Sequence, residues 1–142
     1  MFIADAQTAF APVIAELHRH CFQVPWSESD IRDLLCLPTT VGWVTESSFL
    51  LCSRVVDEME ILTVGVLPTC RRQGLASTLL TDLISYARQN QVRRIFLEVS
   101  VQNIPAQKLY SHFGFIKTGI RPGYYKTASG TTDALCLTKM LD

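Results

Sequence analysis

Six residues in the middle of the chain read Arg71-Arg72-Gln73-Gly74-Leu75-Ala76. They lie between an apolar segment rich in β-branched residues and the most regular helical pattern of the sequence. The first turn of a helix leaves backbone N–H groups unpaired and carries positive partial charge, so an anion is stabilised there. Gly74 lets a ligand approach the backbone closely, and the two arginines add charge. These features predict a phosphate-binding turn, although an ordinary helix start with surface arginines fits the six residues equally well.

Two other kinds of phosphate-binding loop are excluded by the residues present. The Walker loop requires Gly-x-x-x-x-Gly-Lys-Ser/Thr, and the segment 71–76 has neither a lysine nor a second glycine. The dinucleotide-binding fingerprint requires three glycines, and only Gly74 is present here. A phosphate group bound at this turn therefore belongs to a different class of ligand.

Outward from the turn, the hydrophobic pattern alternates between helical and strand periodicity. Helices are predicted at about 10–20, from a Ser27 cap to Pro38, at about 74–89 and after an Asn103 cap. Strands are predicted at 41–45, 49–56, 60–66, 94–99, 115–119 and 133–140. A helix joins strands 60–66 and 94–99, and a crossover of that kind makes the two strands parallel. The prediction is a single α/β domain over residues 1–142, with a mixed sheet and helices on both of its faces.

Composition and charge narrow the class of protein. Of the 142 residues, 48% are hydrophobic and 18% are charged, which is typical of a globular chain. Thirteen basic and thirteen acidic residues cancel, so the net charge indicates neither a nucleic-acid partner nor a membrane partner. No apolar run reaches the roughly 20 residues that a membrane-spanning helix needs, and the N-terminus lacks the basic region of a secretory signal.

The cysteine and histidine residues predict neither a metal site nor a disulfide framework. The five cysteines are an odd number and form no Cys-x-x-Cys pair. His18, His20 and His112 lack a matching cluster of cysteines or carboxylates. Free thiols are typical of a reducing compartment, so a cytoplasmic location is expected.

With these segments in place, the chain resembles the GCN5-related N-acetyltransferase (GNAT) superfamily, whose signature is Arg/Gln-x-x-Gly-x-Gly/Ala. The turn matches it as Arg71-x-x-Gly74-x-Ala76, and the resemblance extends over about residues 10–140. It is also carried by segments on either side of the turn: 61–68, Leu97-Glu98-Val99, Asn103, 106–110 and 113–115. The resemblance implies the acyl-CoA N-acyltransferase fold, in which a splayed pair of parallel strands binds acetyl-CoA without a metal.

Two further segments, Pro25-Trp26-Ser27 and Tyr124-Tyr125, resemble a narrower group, the bacterial ribosomal-protein alanine N-acetyltransferases (RimI type). This resemblance implies an enzyme that acetylates a protein N-terminus, in that group the N-terminal alanine of the eighteenth small-subunit ribosomal protein. The chain departs from the group at Ser100, where arginine is common, at Gln102 and at Thr69-Cys70. These departures affect the expected acceptor surface more than the expected cofactor site.

The superfamily resemblance implies a role for each matching residue. Backbone N–H groups from Arg72 to Ser77 would bind the pyrophosphate. The edge of strand 64–66 would pair with the pantetheine arm, and the Val66 N–H would face the thioester carbonyl. The expected cofactor site comprises Val64, Gly65, Val66, Arg71, Arg72, Gln73, Gly74, Leu75, Ala76, Ser77, Asn103 and Tyr110.

Glu98 and Tyr110 are the catalytic candidates. An α-amine has a pKa of roughly 7.7–8.0, so it must lose a proton before it can attack a thioester. Glu98 lies in an apolar strand, where partial desolvation would suit it to act as the base, directly or through a water. A structural or amine-binding role is the alternative for Glu98. Tyr110 would donate a proton to the leaving thiolate, unless it is only a tyrosine packed at the core boundary.

The acceptor would lie between Pro25-Trp26-Ser27 and Tyr124-Tyr125, with Glu98 at the reacting amine. Aromatic side chains and a proline suit an extended peptide terminus, but Trp26 could equally be a hydrophobic plug and the two tyrosines could pack in the loop between the last strands. Two other functions stay open: acetylation of a lysine or a small-molecule amine, and a catalytically silent acyl-CoA-binding module. Glu98 and Tyr110 argue against the silent module, because a binding protein needs neither.

Overall fold

One seven-stranded sheet organises the protein, as a computed structural model of residues 1–142 shows. The strands are β1 (Phe2–Ile3), β2 (Thr40–Val44), β3 (Ser48–Val55), β4 (Glu58–Val66), β5 (Arg94–Ser100), β6 (Ile116–Thr127) and β7 (Gly130–Met140). The helices are α1 (Ala11–Cys21), α2 (Glu28–Cys36), α3 (Leu75–Gln89) and α4 (Ile104–His112). The spatial order is β1-β2-β3-β4-β5-β7-β6, and β4 with β5 is the parallel pair in an otherwise antiparallel sheet. The predicted mixed α/β architecture is confirmed.

The parallel strands β4 and β5 stay together over a short distance and then separate. They pair where Glu58–Glu60 lie opposite Arg94–Phe96. Further along, β4 remains bonded to β3 as far as Val66, and β5 remains bonded to β7 as far as Ser100. A gap therefore opens between β4 and β5 beyond Glu60 and Phe96, which confirms the predicted splayed pair.

The helices cover opposite faces of the sheet, as predicted. On one face, α3 and α4 contribute to a buried cluster of 19 residues that includes Leu80, Leu83 and Tyr110. On the other face, α1 and α2 contribute Ile14, Leu17, Ile31 and other side chains to a cluster of nine residues around Phe49. Each fully buried side chain of this size contributes roughly 1.5–3 kcal/mol, so the two clusters hold the sheet between its helices.

The helix starts follow the sequence signals. The Ser27 hydroxyl accepts a hydrogen bond from the Asp30 N–H at 3.0 Å, and the Asn103 side-chain oxygen accepts one from the Ala106 N–H at 3.2 Å. Both side chains satisfy a backbone donor that the first turn of a helix leaves free. None of the helices combines the length and the hydropathy that a bilayer crossing requires.

Two parts of the sheet differ from the prediction. The sequence does not predict β1, because two residues are too few to show an alternating pattern. β6 and β7 are longer than the predicted segments 115–119 and 133–140, because Pro122 and Gly123 interrupt the strand pattern without ending the strand. The structure accommodates them as an irregularity between Arg121 and Tyr125, so the prediction that Tyr124-Tyr125 lie in a loop was wrong.

Candidate active site

The turn between β4 and α3 has the backbone shape of an anion site. Arg72 and Gly74 both have positive φ angles, 65° and 77°, with residues between and after them in other conformations. Gly74 is the N-cap of α3 and provides no side chain to bond the first turn. The Gly74 carbonyl oxygen accepts the first backbone hydrogen bond of the helix, from the Thr78 N–H at 3.0 Å. The N–H groups of residues 75–77 are therefore free for a ligand.

The space in front of this turn is open. A Cβ atom placed on Gly74 would have no heavy atom within 4 Å. Arg72 and Gln73 are exposed beside it, whereas Leu75, Ala76 and Ser77 are partly buried. The turn therefore combines unpaired donors, the positive end of a 15-residue helix and free volume, which together suit a phosphate or pyrophosphate group.

The Arg71 side chain is exposed and turns back toward β4. Its Nε donates a hydrogen bond to the Val66 carbonyl at 3.1 Å. The same guanidinium lies beside the Cys21 thiol. Burial raises the pKa of Cys21, and the positive charge of Arg71 partly opposes that increase. Arg71 thus links the end of β4 to the end of α1, at the entrance to the gap.

The edge of β4 that faces the gap carries free backbone groups. Residues of an antiparallel ladder alternate in the direction of their N–H and C=O groups. The Leu67 N–H donates to Ser47 at 2.8 Å, toward β3, so the groups of Val66 and Val64 point away from β3 and into the gap. The Arg71 contact with the Val66 carbonyl has the same direction. An extended ligand with amide groups can pair with this edge as a further strand would.

Gly65 lies between these two valines and permits close packing behind the edge. A Cβ atom on Gly65 would lie 2.7 Å from the Phe49 ring and 3.0 Å from the Cys21 sulfur. Both distances are too short, so a larger residue would push β4 away from α1. The glycine therefore keeps the strand edge in place while its neighbours face the gap.

Tyr110 is buried in the core on the α3–α4 face of the sheet. Its side chain is 3% exposed and packs edge-on against Phe115, with ring centroids 5.5 Å apart. Burial raises the pKa of Tyr110 well above its usual range, and Tyr125 contributes in the same direction. The hydroxyl is therefore protonated at any ordinary pH and is available as a proton donor.

One carboxylate oxygen of Glu98 is paired with an arginine, and the other has no partner. Its Oε1 lies 3.0 Å from Nη2 of Arg121, and its side chain is 16% exposed. Its other oxygen, Oε2, is buried and has no hydrogen-bond partner. A buried carboxylate oxygen without a donor is costly, so Oε2 is the natural position for a donor on a ligand.

The structure adds Glu60 and Arg121 to the residues that the sequence singled out. Glu60 pairs with Phe96 across β4 and β5, so its side chain lies on the same face as Glu98 two residues further along β5. Burial raises the pKa of Glu60, the Glu98 carboxylate raises it further, and Arg121 opposes both. Two carboxylates and one arginine thus face the same space, a charge arrangement suited to a cationic amine.

Tyr124 and Tyr125, in β6, lie beside Glu98 and Arg121. The Tyr125 hydroxyl donates to the Glu98 backbone oxygen at 2.9 Å, and burial with the nearby Tyr124 and Glu98 raises the pKa of Tyr125 to about 12. Tyr124 is half-exposed and lies under the Arg121 guanidinium, 4.7 Å from ring centroid to carbon. The pair therefore contacts Glu98 and Arg121, and Tyr125 lies close enough to Tyr110 to raise its pKa.

The loop between α1 and α2 carries Pro25, Trp26 and Ser27. All three are exposed, and the hydroxyl oxygen of Ser27 is engaged in the cap of α2. Trp26 is 38% exposed and stacks on the buried His18, with centroids 5.1 Å apart. Trp26 therefore packs on His18 with part of its surface and exposes the rest to solvent.

Asn103 lies at the start of α4 with its side-chain oxygen occupied by the helix cap. It is exposed, so its amide nitrogen remains available to a ligand. Nowhere do three or more His, Cys, Asp or Glu side chains come close enough to hold a metal ion. All five cysteines are unpaired.

The sequence prediction of the site omitted Arg121, Glu60 and His18, and only some of these three residues have a signal in the sequence. Arg121 precedes the tyrosine pair by three residues, but the bulge that aims it at Glu98 is not readable from the pattern. Glu60 becomes a candidate only when the register of the parallel strands is known. His18 is four residues beyond Ile14, on the buried face of α1, so helical spacing already places it in the interior.

Comparison with known proteins gives the same picture as the geometry. The model of the acetyltransferase (GNAT) family matches residues 11–115. The ribosomal protein bS18-alanine N-acetyltransferase of Escherichia coli (strain K12) is 30% identical over 141 residues, which cover 95% of this chain and 94% of that protein.

Solved structures agree in fold. The crystal structure of the ribosomal-protein-S18-alanine N-acetyltransferase from Escherichia coli matches with a TM-score of 0.90 and 26% identity, covering 100% of this chain and 94% of that one. Arabidopsis thaliana NAA60 in complex with acetyl-CoA matches with a TM-score of 0.85 and 19% identity, covering 99% and 98%. Since the family model and the bacterial relative both extend over most of the sequence, the chain belongs to the acetyltransferase (GNAT) family, whose members bind acetyl-CoA.

Proposed function

We propose that the protein transfers an acetyl group from acetyl-CoA to the α-amine of a protein N-terminus, by direct attack in a ternary complex. The observation that carries the proposal is the opening between β4 and β5, which leaves the edge of β4 without a partner strand, next to a strand that carries the unpartnered carboxylate oxygen of Glu98. The acceptor of the Escherichia coli relative is the alanine of ribosomal protein bS18, and we propose the N-terminal alanine of the corresponding protein as the acceptor here.

The cofactor site would run from the turn to the gap. The free N–H groups at 75–77, with those of Arg72, Gln73 and Gly74, would bind the pyrophosphate, and the arginine side chains would add charge. Val64 and Val66 would pair with the amide groups of the pantetheine arm, and the free amide nitrogen of Asn103 would reach it from α4. Acetyl-CoA supplies the acetyl group as an activated thioester.

Glu98 would deprotonate the acceptor. The incoming amine arrives mostly as an ammonium at neutral pH, since an α-amine has a pKa of roughly 7.7–8.0. The ammonium would donate to the unpartnered Oε2 of Glu98, while Arg121 keeps Oε1 occupied and the carboxylate oriented. Transfer of one proton to Oε2, directly or through a water, leaves the neutral amine that can attack.

Val66 and Tyr110 would assist on the other side of the gap. The Val66 N–H faces the gap and can stabilise a developing oxyanion, a contribution usually worth a few kcal/mol. The Tyr110 hydroxyl keeps its proton because burial raises its pKa, so it can give that proton to the departing sulfur. When the C–S bond breaks, the attacking nitrogen loses its second proton and the Tyr110 oxygen takes it up, which restores the hydroxyl. The proton on Glu98 passes to solvent, so each turnover of an ammonium yields the amide, coenzyme A thiol and one proton.

The acceptor peptide would lie between Pro25-Trp26-Ser27 and Tyr124-Tyr125. Both segments carry exposed aromatic side chains, and Glu60 with Glu98 supplies negative charge beside Tyr125. We further propose that residues 1–142 act as one catalytic domain, that the reaction takes place in the cytoplasm, and that neither nucleic acid, membrane nor metal takes part.

Two matched peptides test the amine preference. One begins with a free alanine and has its lysines blocked; the other has the same sequence with a blocked N-terminus and free lysines. Release of coenzyme A thiol in the presence of acetyl-CoA should occur with the first and not the second. Release only with the second would favour the lysine-directed alternative, and acetyl-CoA binding without any thiol release would favour a silent binding module.

A further inference from the structure

The loop that carries Trp26 is held by a histidine buried beneath it. His18 lies on α1 and is 1% exposed. Its Nδ1 accepts a hydrogen bond from the Trp26 backbone N–H at 3.1 Å, and its Nε2 lies 3.1 Å from the hydroxyl oxygen of Thr63. The imidazole also stacks on Phe22 and on Trp26, with ring centroids 4.2 Å and 5.1 Å apart.

The hydrogen bonds determine the tautomer of this ring. A backbone N–H can only donate, so Nδ1 carries no proton and must accept. The proton of the neutral imidazole is therefore on Nε2, which donates to Thr63. Burial lowers the pKa of His18 to about 4, so the ring is neutral at physiological pH and both contacts persist.

The two contacts join the loop to the strand that borders the gap. Thr63 is a buried residue of β4 and directly precedes Val64, the first of the two residues whose backbone faces the gap. The loop between α1 and α2 otherwise has exposed residues from Phe22 to Ser27. Its position relative to β4 is thus defined from inside the protein, through His18.

We propose that His18 is a positioning residue: through its hydrogen bond to the Trp26 backbone, it holds the acceptor loop, residues 22–27, in a fixed position relative to the edge of β4. This inference rests on the proposed function, because it assigns the loop to acceptor binding. His18 does not touch the reacting atoms, and its role is separable into two parts: Nδ1 orders the loop, and Nε2 anchors the ring to β4.

Two amide substitutions separate these parts. In His18→Asn, the side-chain oxygen replaces Nδ1 and can still accept from Trp26. In His18→Gln, the amide nitrogen reaches the position of Nε2 and can still donate to Thr63, but the Trp26 acceptor is lost. His18→Leu removes both contacts while keeping the bulk. His20→Asn is the matched control, because His20 is an exposed histidine on the same helix whose ring bonds to the exposed Glu16 instead of to the loop or to β4.

Steady-state kinetics with acetyl-CoA and an alanine-starting peptide provide the first readout. His18→Leu and His18→Gln should raise the acceptor KM about tenfold or more, the size expected when a backbone donor loses its buried partner. The acetyl-CoA KM should stay within about twofold and kcat should fall less than the acceptor KM rises. His18→Asn and His20→Asn should resemble the unsubstituted protein.

Amide hydrogen exchange of Trp26, measured by NMR on the nitrogen-15-labelled protein, provides the second readout and needs no substrate. Exchange should be about tenfold faster in His18→Leu and His18→Gln and near normal in His18→Asn. Unchanged exchange and unchanged acceptor KM in the Leu and Gln variants would overturn the proposal, as would a His18→Asn variant impaired as severely as His18→Leu. If His18→Leu does not fold, the Asn and Gln variants decide alone. If no peptide is acetylated at all, the proposed function fails, while the Trp26 exchange rates still decide the role of His18.

Discussion

Replacing Gly74 by alanine separates the shape of the phosphate turn from its role in binding. Gly74 has a φ angle of 77°, in the left-handed region, and a Cβ atom added there would have no heavy atom within 4 Å. Alanine therefore meets backbone strain but no clash inside the protein. In the proposed complex, the added methyl group occupies space that the pyrophosphate needs to reach the N–H groups at the start of α3.

The strain has a calculable cost. Placing an L-residue other than glycine in the left-handed region costs roughly 1–2 kcal/mol. For a chain of this length, that loss lowers the midpoint of thermal unfolding by about 2–8 °C. The protein should remain folded at 25 °C, since typical domains are stable by about 5–15 kcal/mol.

The loss of binding should exceed what strain explains. We expect the dissociation constant of acetyl-CoA to rise at least tenfold, or about 1.4 kcal/mol, in isothermal titration calorimetry. Gly130→Ala is the control, because Gly130 also has a positive φ, 134°, and open space around its Cβ, but is the first residue of β7, after the turn that follows β6. It should lose stability and keep the affinity for acetyl-CoA.

An equal affinity in Gly74→Ala and the unsubstituted protein would refute this reasoning. The stability loss would then reflect backbone strain alone, and the pyrophosphate would have to bind elsewhere. Equal loss of affinity in Gly74→Ala and Gly130→Ala would also refute it, because general destabilisation would explain both.

The remaining predictions concern proton transfer and pH. Tyr110→Phe should lower kcat by about 10²-fold or more and leave the acetyl-CoA dissociation constant unchanged; an unaltered kcat would make Tyr110 a packing residue. Glu98→Gln should lower kcat/KM for the peptide by about 10²-fold, whereas Glu60→Gln should lower it less than about tenfold; the reverse order would transfer the role of base to Glu60. The pKa of His18 is about 4 in the native state and about 6.5 in the unfolded chain, so the unfolded chain binds the proton first as the pH falls. The free energy of unfolding therefore decreases by about 3 kcal/mol between pH 6.5 and pH 4. In urea unfolding, His18→Asn should show a correspondingly flatter dependence over that range, and an identical dependence would contradict a buried neutral imidazole.

Local signals were sufficient for most of the fold. The regular apolar spacing of α3 and the caps at Ser27 and Asn103 predicted helices that the structure contains with nearly the same bounds. The crossover rule predicted the parallel pair, because a helix between two strands leaves few alternatives. β1 escaped prediction because its two residues acquire strand geometry only from pairing with β2.

The site was less accessible to sequence reasoning. The turn at 71–76 and its resemblance to a known family pointed to the cofactor end, since backbone shape there depends on local residues. The contact between Arg121 and Glu98 depends instead on an irregularity between two strands, and the proximity of Glu60 depends on register. Contacts of this kind connect residues far apart in sequence, so no local pattern encodes them.

Tandem mass spectrometry of one peptide with two competing amines tests the central claim most directly. The peptide begins with a free alanine and contains one free lysine, and it is incubated with acetyl-CoA and the protein. We expect one acetyl group to be added at the terminal α-amine, and we expect Tyr110→Phe to slow this addition without changing the amine that is acetylated. Acetylation of the lysine side chain instead, or of neither amine, would contradict the account.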